Sequence, residues 1–182
     1  AADITLSNLV SGEALNHSGT ASISSANAGS YTITNLAGIT IADGSGGTAS
    51  NYTLTGGTHQ LTINQRPLNA TLARQYDGTT NAAGSDLSSF DALQGGETLT
   101  LSGSGTAAND NVANGISVSS LGSLALVNGT GLASNYSLNS AAINITQRVL
   151  NSSGSKTYDA NTNALAADIT LSNLVSGEAL NH

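Results

Sequence analysis

AADITLSNLVSGEALNH, residues 1–17, stands again letter for letter at 166–182. Chance does not repeat such a stretch in so varied a sequence, so the chain reads as an excerpt from an array with a period of about 165 residues. Identity over that distance marks recent duplication and lets copy number, hence length, vary without changing local structure. A weaker period of about half that length lies inside it. YDGTTNA at 76–82 matches YDANTNA at 158–164, INQR at 63–66 matches ITQR at 145–148, and ASNYTL at 49–54 matches ASNYSL at 133–138. The unit is a pair of divergent modules of about 82 residues each. In this register 1–65 is the C-terminal part of one module, 66–147 is a complete module, and 148–182 is the N-terminal part of the next.

Between these landmarks apolar and polar residues alternate: ITLSNL at 4–9, SYTITNL at 30–36, ITIA at 39–42, TLTLSG at 98–103, ISVSSL at 116–121 and AINITQ at 142–147. Period two in segments rich in Thr, Ile, Val and Tyr predicts half-buried strands. Clusters of Gly, Asn and Asp punctuate them as turns: DGSGGTASN at 43–51, NDN at 109–111 and NGTG at 128–131. DLSSFDALQGG at 86–96 reads as one short helical turn ended by Gly95. Six or seven short strands in about 82 residues suit a small antiparallel β-sandwich, whereas a β-solenoid would repeat every 20–30 residues or so. Tyr52 with Leu54, and Tyr136 with Leu138, hold the same place in each module. Strand alternation puts each pair on one face, which predicts that they pack inward.

Composition narrows function. Charged residues are 8% of the chain, with four basic residues and a net charge of −7. Nucleic acid and anionic membrane surfaces both require clustered Lys and Arg, so neither is an expected partner. No apolar run approaches the roughly 18 residues of a membrane span, and the first residues lack the basic and apolar regions of a signal peptide. One Phe, five Tyr and no Trp leave a core of Leu, Ile, Val and Ala, and the absence of Cys removes disulfides and thiolate chemistry. Cys-free, Lys-poor chains rich in Ser, Thr, Asn and Gly are common among very long bacterial exoproteins.

Tyr76-Asp77-Gly78, the preceding RPLNATLARQ, and the counterpart VLNSSGSKTYDANTNA at 149–164 resemble the YDG and MBG repeat families of filamentous-haemagglutinin-like bacterial exoproteins. The resemblance implies Ig-like β modules exported by two-partner secretion and used as stalks or biofilm-matrix regions of adhesins. Physically, Tyr76 and Tyr158 would end a strand with the ring on the core, Asp77 and Asp159 would cap the following turn, and Gly78 would permit a positive φ. Ala160 in place of the second Gly predicts a type I turn without positive φ.

Catalytic and metal chemistry find little support. His17 and His59 stand far apart with no Cys, so no zinc spacing exists. No nucleophile elbow is present, and the carboxylates Asp86, Asp91 and Glu97 lack the sugar-stacking aromatics of a glycosidase cleft. Asp43, Asp77 and Asp110 sit in oxygen-rich turns and are the weak Ca²⁺ candidates, although no segment matches a known Ca²⁺ loop and Asx-turn capping explains them equally. Lys156 could form an isopeptide bond, but Arg74 occupies the aligned position and cannot, which leaves Lys156 as a surface side chain. Seven Asn-x-Ser/Thr sequons are close to the number so much Asn, Ser and Thr produces by chance. The expectation is a non-enzymatic structural repeat without cofactor, of extracellular or bacterial cell-surface location. Its partners would be neighbouring repeats or copies of itself joined head to tail. The alternative is an exopolysaccharide- or glycan-binding module, which needs an exposed platform of Tyr31, Tyr52 or Tyr136.

Overall fold

The computed structural model describes residues 3–181, and the chain divides into two compact units, Ala1–Arg66 and Pro67–His182. It is all-β with a curled sheet: 44% of residues are in strands and 7% are helical. The helical part is confined to 3-10 turns of three residues each.

The first unit holds β1 (Leu15–Gly19), β2 (Gly29–Thr32), β3 (Ile39–Asp43) and β4 (Gln60–Ile63). β1 pairs antiparallel with β3, and β2 with β4. Its buried apolar residues are Ile33 and Ile39. An open hollow of about 150 Å³ lies among Ile4, Ala21, Ile23, Ile33 and Leu61.

β5 (Arg66–Gln75) leads into the second unit, followed by β6 (Asn81–Ala83), β7 (Leu87–Phe90), β8 (Leu99–Ser102), β9 (Ser104–Ala107) and β10 (Ala113–Ser120). β11 (Ala125–Asn128), β12 (Tyr136–Thr146), β13 (Asn151–Gly154) and β14 (Ile169–Ser172) complete it. A six-stranded sheet runs β6-β9-β10-β12-β5-β7, and β8–β11 and β13–β14 form separate pairs. β5 alternates as its sequence demands: Leu68, Ala70 and Leu72 are at most 2% exposed, while the residues between them face outward or lie half-buried. They meet Ile143 and Ile145 of β12, Leu101 of β8 and Tyr136, all buried. Each such Leu or Ile contributes roughly 1.5–3 kcal/mol on burial. Aliphatic side chains therefore make this core, with Phe90 and Tyr136 the rings at its edge.

Uncharged outer faces are held by paired hydroxyls across strands: Ser18 with Thr40 at 2.8 Å and Ser30 with Thr62 at 3.0 Å. Cross-strand Ser/Thr pairs contribute a few tenths to about 1 kcal/mol each, and they do in this chain what ion pairs do elsewhere. Two expectations are corrected. Residues 87–90 of DLSSFDALQGG form strand β7, and the helical turn lies just before it, at Gly84–Asp86. There Leu87 and Phe90 find room against the core, and pairing with β5 overrides the local helical tendency.

The second correction concerns ITLSNL at 4–9, which forms no strand. The same letters at 169–174 begin with β14, paired residue for residue with β13 from Asn151↔Ser172 to Gly154↔Ile169. Local geometry is nonetheless shared by the two copies. Asn8 and Asn173 both take left-handed φ, 65° and 66°. Glu13 N–H donates to Val10 O, and Glu178 N–H to Val175 O, both at 3.0 Å. Turns are encoded by the nearby residues; strands exist only where a partner strand is supplied.

NMR hydrogen exchange checks this on one molecule. The amides of β14 that bond to β13 should exchange markedly more slowly than the amides of 4–7, which share their sequence. Equal rates in both copies would contradict it.

Candidate functional site

β5 delivers the chain to Tyr76-Asp77-Gly78, and the amide of Tyr76 donates to Thr146 O of β12 at 2.9 Å. Asp77 then closes an Asx turn: its Oδ1 accepts from the amide of Thr79 at 3.0 Å and from the Thr79 hydroxyl at 2.9 Å. Arg74 completes a clamp, donating through Nη1 to Asp77 and through Nη2 to Thr79 O. Burial alone would push the Asp77 carboxyl up. The Thr79 hydroxyl and amide, followed by the Arg74 guanidinium, outweigh that and hold it below its ordinary value.

The second copy of the turn repeats the design with Lys in place of Arg. Lys156 Nζ donates to Asp159 Oδ1 at 3.1 Å, Asn161 Oδ1 at 2.9 Å and Asn163 O at 2.6 Å. The amide of Asn161, followed by Lys156, lowers the Asp159 pKa. Lys156 is exposed and clamps this turn through those bonds; the position it shares with Arg74 was the signal for the clamp. A turn without positive φ is also ruled out, since Gly78 has φ 72° and Ala160 φ 57°. Ala160 accepts a left-handed conformation that costs a non-glycine residue about 1–2 kcal/mol, because the Asx bond and the lysine clamp together determine the backbone.

Tyr76 is half-buried and packs against the main core cluster. Tyr158, expected on the core as well, is 90% exposed. The difference is one of cover: Tyr76 lies under β12 and the segment around Val175 and Glu178, and among the described residues after Tyr158 there is no counterpart of β12.

The two NYxL tyrosines reveal a feature the strand pattern did not. Tyr136, 4% exposed, donates its hydroxyl proton to Glu97 and accepts from the amide of Gln94 at 3.1 Å. Tyr52, half-buried, donates to Glu13 and accepts from the amide of Val10 at 3.1 Å. In each module the tyrosine and its glutamate are 39 residues apart. The glutamate always follows Gly, at 12–13, 96–97 and 177–178, in a turn whose positive φ that Gly supplies. That recurring Gly-Glu is legible in the sequence. Leu54 and Leu138 are half-buried, Leu138 against the main cluster and Leu54 through a carbonyl that meets His59 Nε2 at 2.8 Å.

The third glutamate, Glu178, accepts from the hydroxyl of Tyr76, and this bond above all raises the Tyr76 pKa. Arg148 binds the same region: Nη1 donates to Tyr76 O at 3.4 Å, Nε to Asn173 O at 2.5 Å and Nη2 to Asn173 Oδ1 at 2.9 Å. An open apolar hollow of about 620 Å³ adjoins it, lined by Val112, Leu150, Leu174 and Leu180 among others.

The remaining candidates are dispersed. Asp43 Oδ1 accepts from the amide of Ala49 at 2.7 Å, and Asp110 lies in a turn closed by Asn109 and the amide of Asn111. Among the described residues no three of His, Cys, Asp and Glu gather where a metal could bind. Asp86 and Asp91 flank opposite ends of β7, and Asp91 accepts from the amide of Asn69 at 2.9 Å and its Nδ2 at 2.7 Å. His17 lies on β1. With Tyr31 and Tyr52 half-buried and Tyr136 buried, the three tyrosines form no exposed sugar platform.

An aliphatic β module with a clamped Tyr-Asp-Gly turn at the end of one strand is thus defined. Residues 58–144 match the family model of the YDG domain. No curated protein and no solved structure matches the chain.

The turn is tested by opposite substitutions. Gly78→Ala should cost about 1–3 kcal/mol, because φ stays positive and the added Cβ would meet Val175 Cγ1 at 2.8 Å. Ala160→Gly should be neutral or stabilise by up to about 1 kcal/mol, since relieved strain is partly offset by unfolded-chain entropy. Urea unfolding reads both, and a destabilised Ala160→Gly would contradict the assignment.

Proposed function

We propose that the chain is a structural segment of a large secreted or cell-surface bacterial adhesin, built from tandem Ig-like β-sandwich modules in a 165-residue repeat. Its role is that of a stalk or extracellular fibre of the biofilm matrix, and it performs no catalysis. The observation that carries this reading is the complementary behaviour of the duplicated segment. In the first copy the end of the segment, Leu15–His17, is paired and Ile4–Ser7 is not; in the second Ile169–Ser172 is paired and Leu180 and Asn181 are not.

Together the halves reproduce three of the central module's pairings. β13–β14 corresponds to β5–β7, β1–β3 to β8–β11, and β2–β4 to β10–β12. Residues 148–182 followed by 18–65 of another copy would therefore supply the counterparts of β5, β7, β8, β10, β11 and β12. The first unit's sparse core and its hollow beside Ile4 and Ile33 support the same reading. Unpaired edges and uncovered apolar surface recruit a partner, and a head-to-tail contact of this kind propagates unless it closes into a ring. Such a fibre needs reach and wettability, which paired hydroxyls supply without charge.

Sedimentation of the 18.0 kDa chain should show a mass that grows with concentration, with elongated particles by electron microscopy. An 18.0 kDa monomer at every concentration up to about millimolar, where weak specific contacts form, would refute head-to-tail assembly.

A further inference from the structure

The Tyr76 turn does more than end a strand. Three features converge there from the segment that follows the central module. The Tyr76 hydroxyl donates to Glu178, Arg148 bridges Tyr76 O and Asn173, and Val175 Cγ1 lies where Gly78 lacks a side chain. Glu178 is the copy of Glu13, whose carboxylate holds Tyr52 of its own module. A carboxylate accepts about four hydrogen bonds, so one Gly-Glu turn can hold both a tyrosine of its own module and one from the module before it.

We propose that the Tyr-Asp-Gly turn is a docking end, and that it seats the Gly-Glu turn of the next module; the exposed Tyr158 turn is the same site, open to the Leu93–Glu97 turn of a second copy. The proposal rests on the tandem-module reading and adds the contact that joins one module to the next. Alternation of the two modules selects Leu93–Glu97 as the occupant. Tyr76 in one type of module meets Glu178 in the other, so Tyr158 must meet the glutamate of the first type, which is Glu97.

The odd residue at position 160 agrees with that choice. Against Gly78 stands Val175, a branched side chain with no room for an added Cβ. The position aligned with Val175 in the other turn is Gln94, whose long flexible end can move aside for the Cβ of Ala160. Gly78 with Val175 and Ala160 with Gln94 are thus two matched joints, and a Val-type turn would meet the Ala160 Cβ. The joints enforce the order of the modules by shape.

Two arms of one experiment, both on the full chain, test this. In the first, Tyr76→Phe should speed amide exchange in 173–178 about tenfold, the equivalent of one charge-assisted hydrogen bond, with little change in β8 and β11. Unchanged exchange would overturn the closed joint, whatever the chain's state of assembly. In the second, Tyr158→Ala should leave the melting temperature unchanged, because the ring is 90% exposed, and weaken self-association in sedimentation about tenfold or more. Association equal to wild type would overturn the open site while leaving strand exchange between copies standing. A wild type that stays monomeric would overturn both.

Discussion

Strand pairing is the constraint on which this chain depends. A strand's amides and carbonyls are satisfied only by another strand, and the residues that supply it stand far away in sequence. One segment present in two copies makes the separation of local from non-local visible. Asn8 and Asn173 share a left-handed backbone, and both Gly-Glu turns close in the same way, because those conformations are set by residues within a turn of each other. Ile4–Ser7 and Ile169–Ser172 differ because only the second has β13 beside it. The local code is identical, and the partner decides.

With few aromatics, no disulfide and almost no charge, the modules rely on a small number of polar ties to fix what aliphatic burial leaves loose. Burial of Leu68, Leu72, Ile143 and Ile145 drives collapse of the second unit without regard to direction. The Tyr136–Glu97 pair joins a strand to a turn 39 residues away, and the Arg74 and Lys156 clamps fix the turn after each opening strand. Surface ion pairs of the latter kind contribute little by themselves, and the clamps act by completing a network with the Asx bond and the backbone carbonyl. Their value is specificity of shape.

Much of this was legible in the sequence. Alternation at 98–103, 116–121 and 142–147 named strands where β8, β10 and β12 lie, and the Asp of each YDx turn caps as its chemistry requires. What escaped were relations between distant positions. Glu97 looked like a stray carboxylate because its partner Tyr136 is remote in sequence, and Lys156 looked like a lone cation because its partners are mostly neutral amides and carbonyls. Ala160 takes a positive φ because the Asx bond and the lysine clamp outweigh its propensity. Tyr158 was placed on a core by analogy with Tyr76, although whatever would cover it is not among the residues that follow it here.

The claim that modules are completed between copies is open to a direct covalent test, because the chain has no cysteine. In the central module Asn69 Oδ1 of β5 accepts from the hydroxyl of Ser140 on β12 at 2.6 Å. The aligned residues of the divided module are Asn151 and Thr58. A chain carrying Asn151→Cys and Thr58→Cys, treated with a short bifunctional thiol reagent, should yield a ladder of covalent oligomers, while Asn69→Cys with Ser140→Cys yields cross-linked monomer. Monomer alone from both chains would contradict the account.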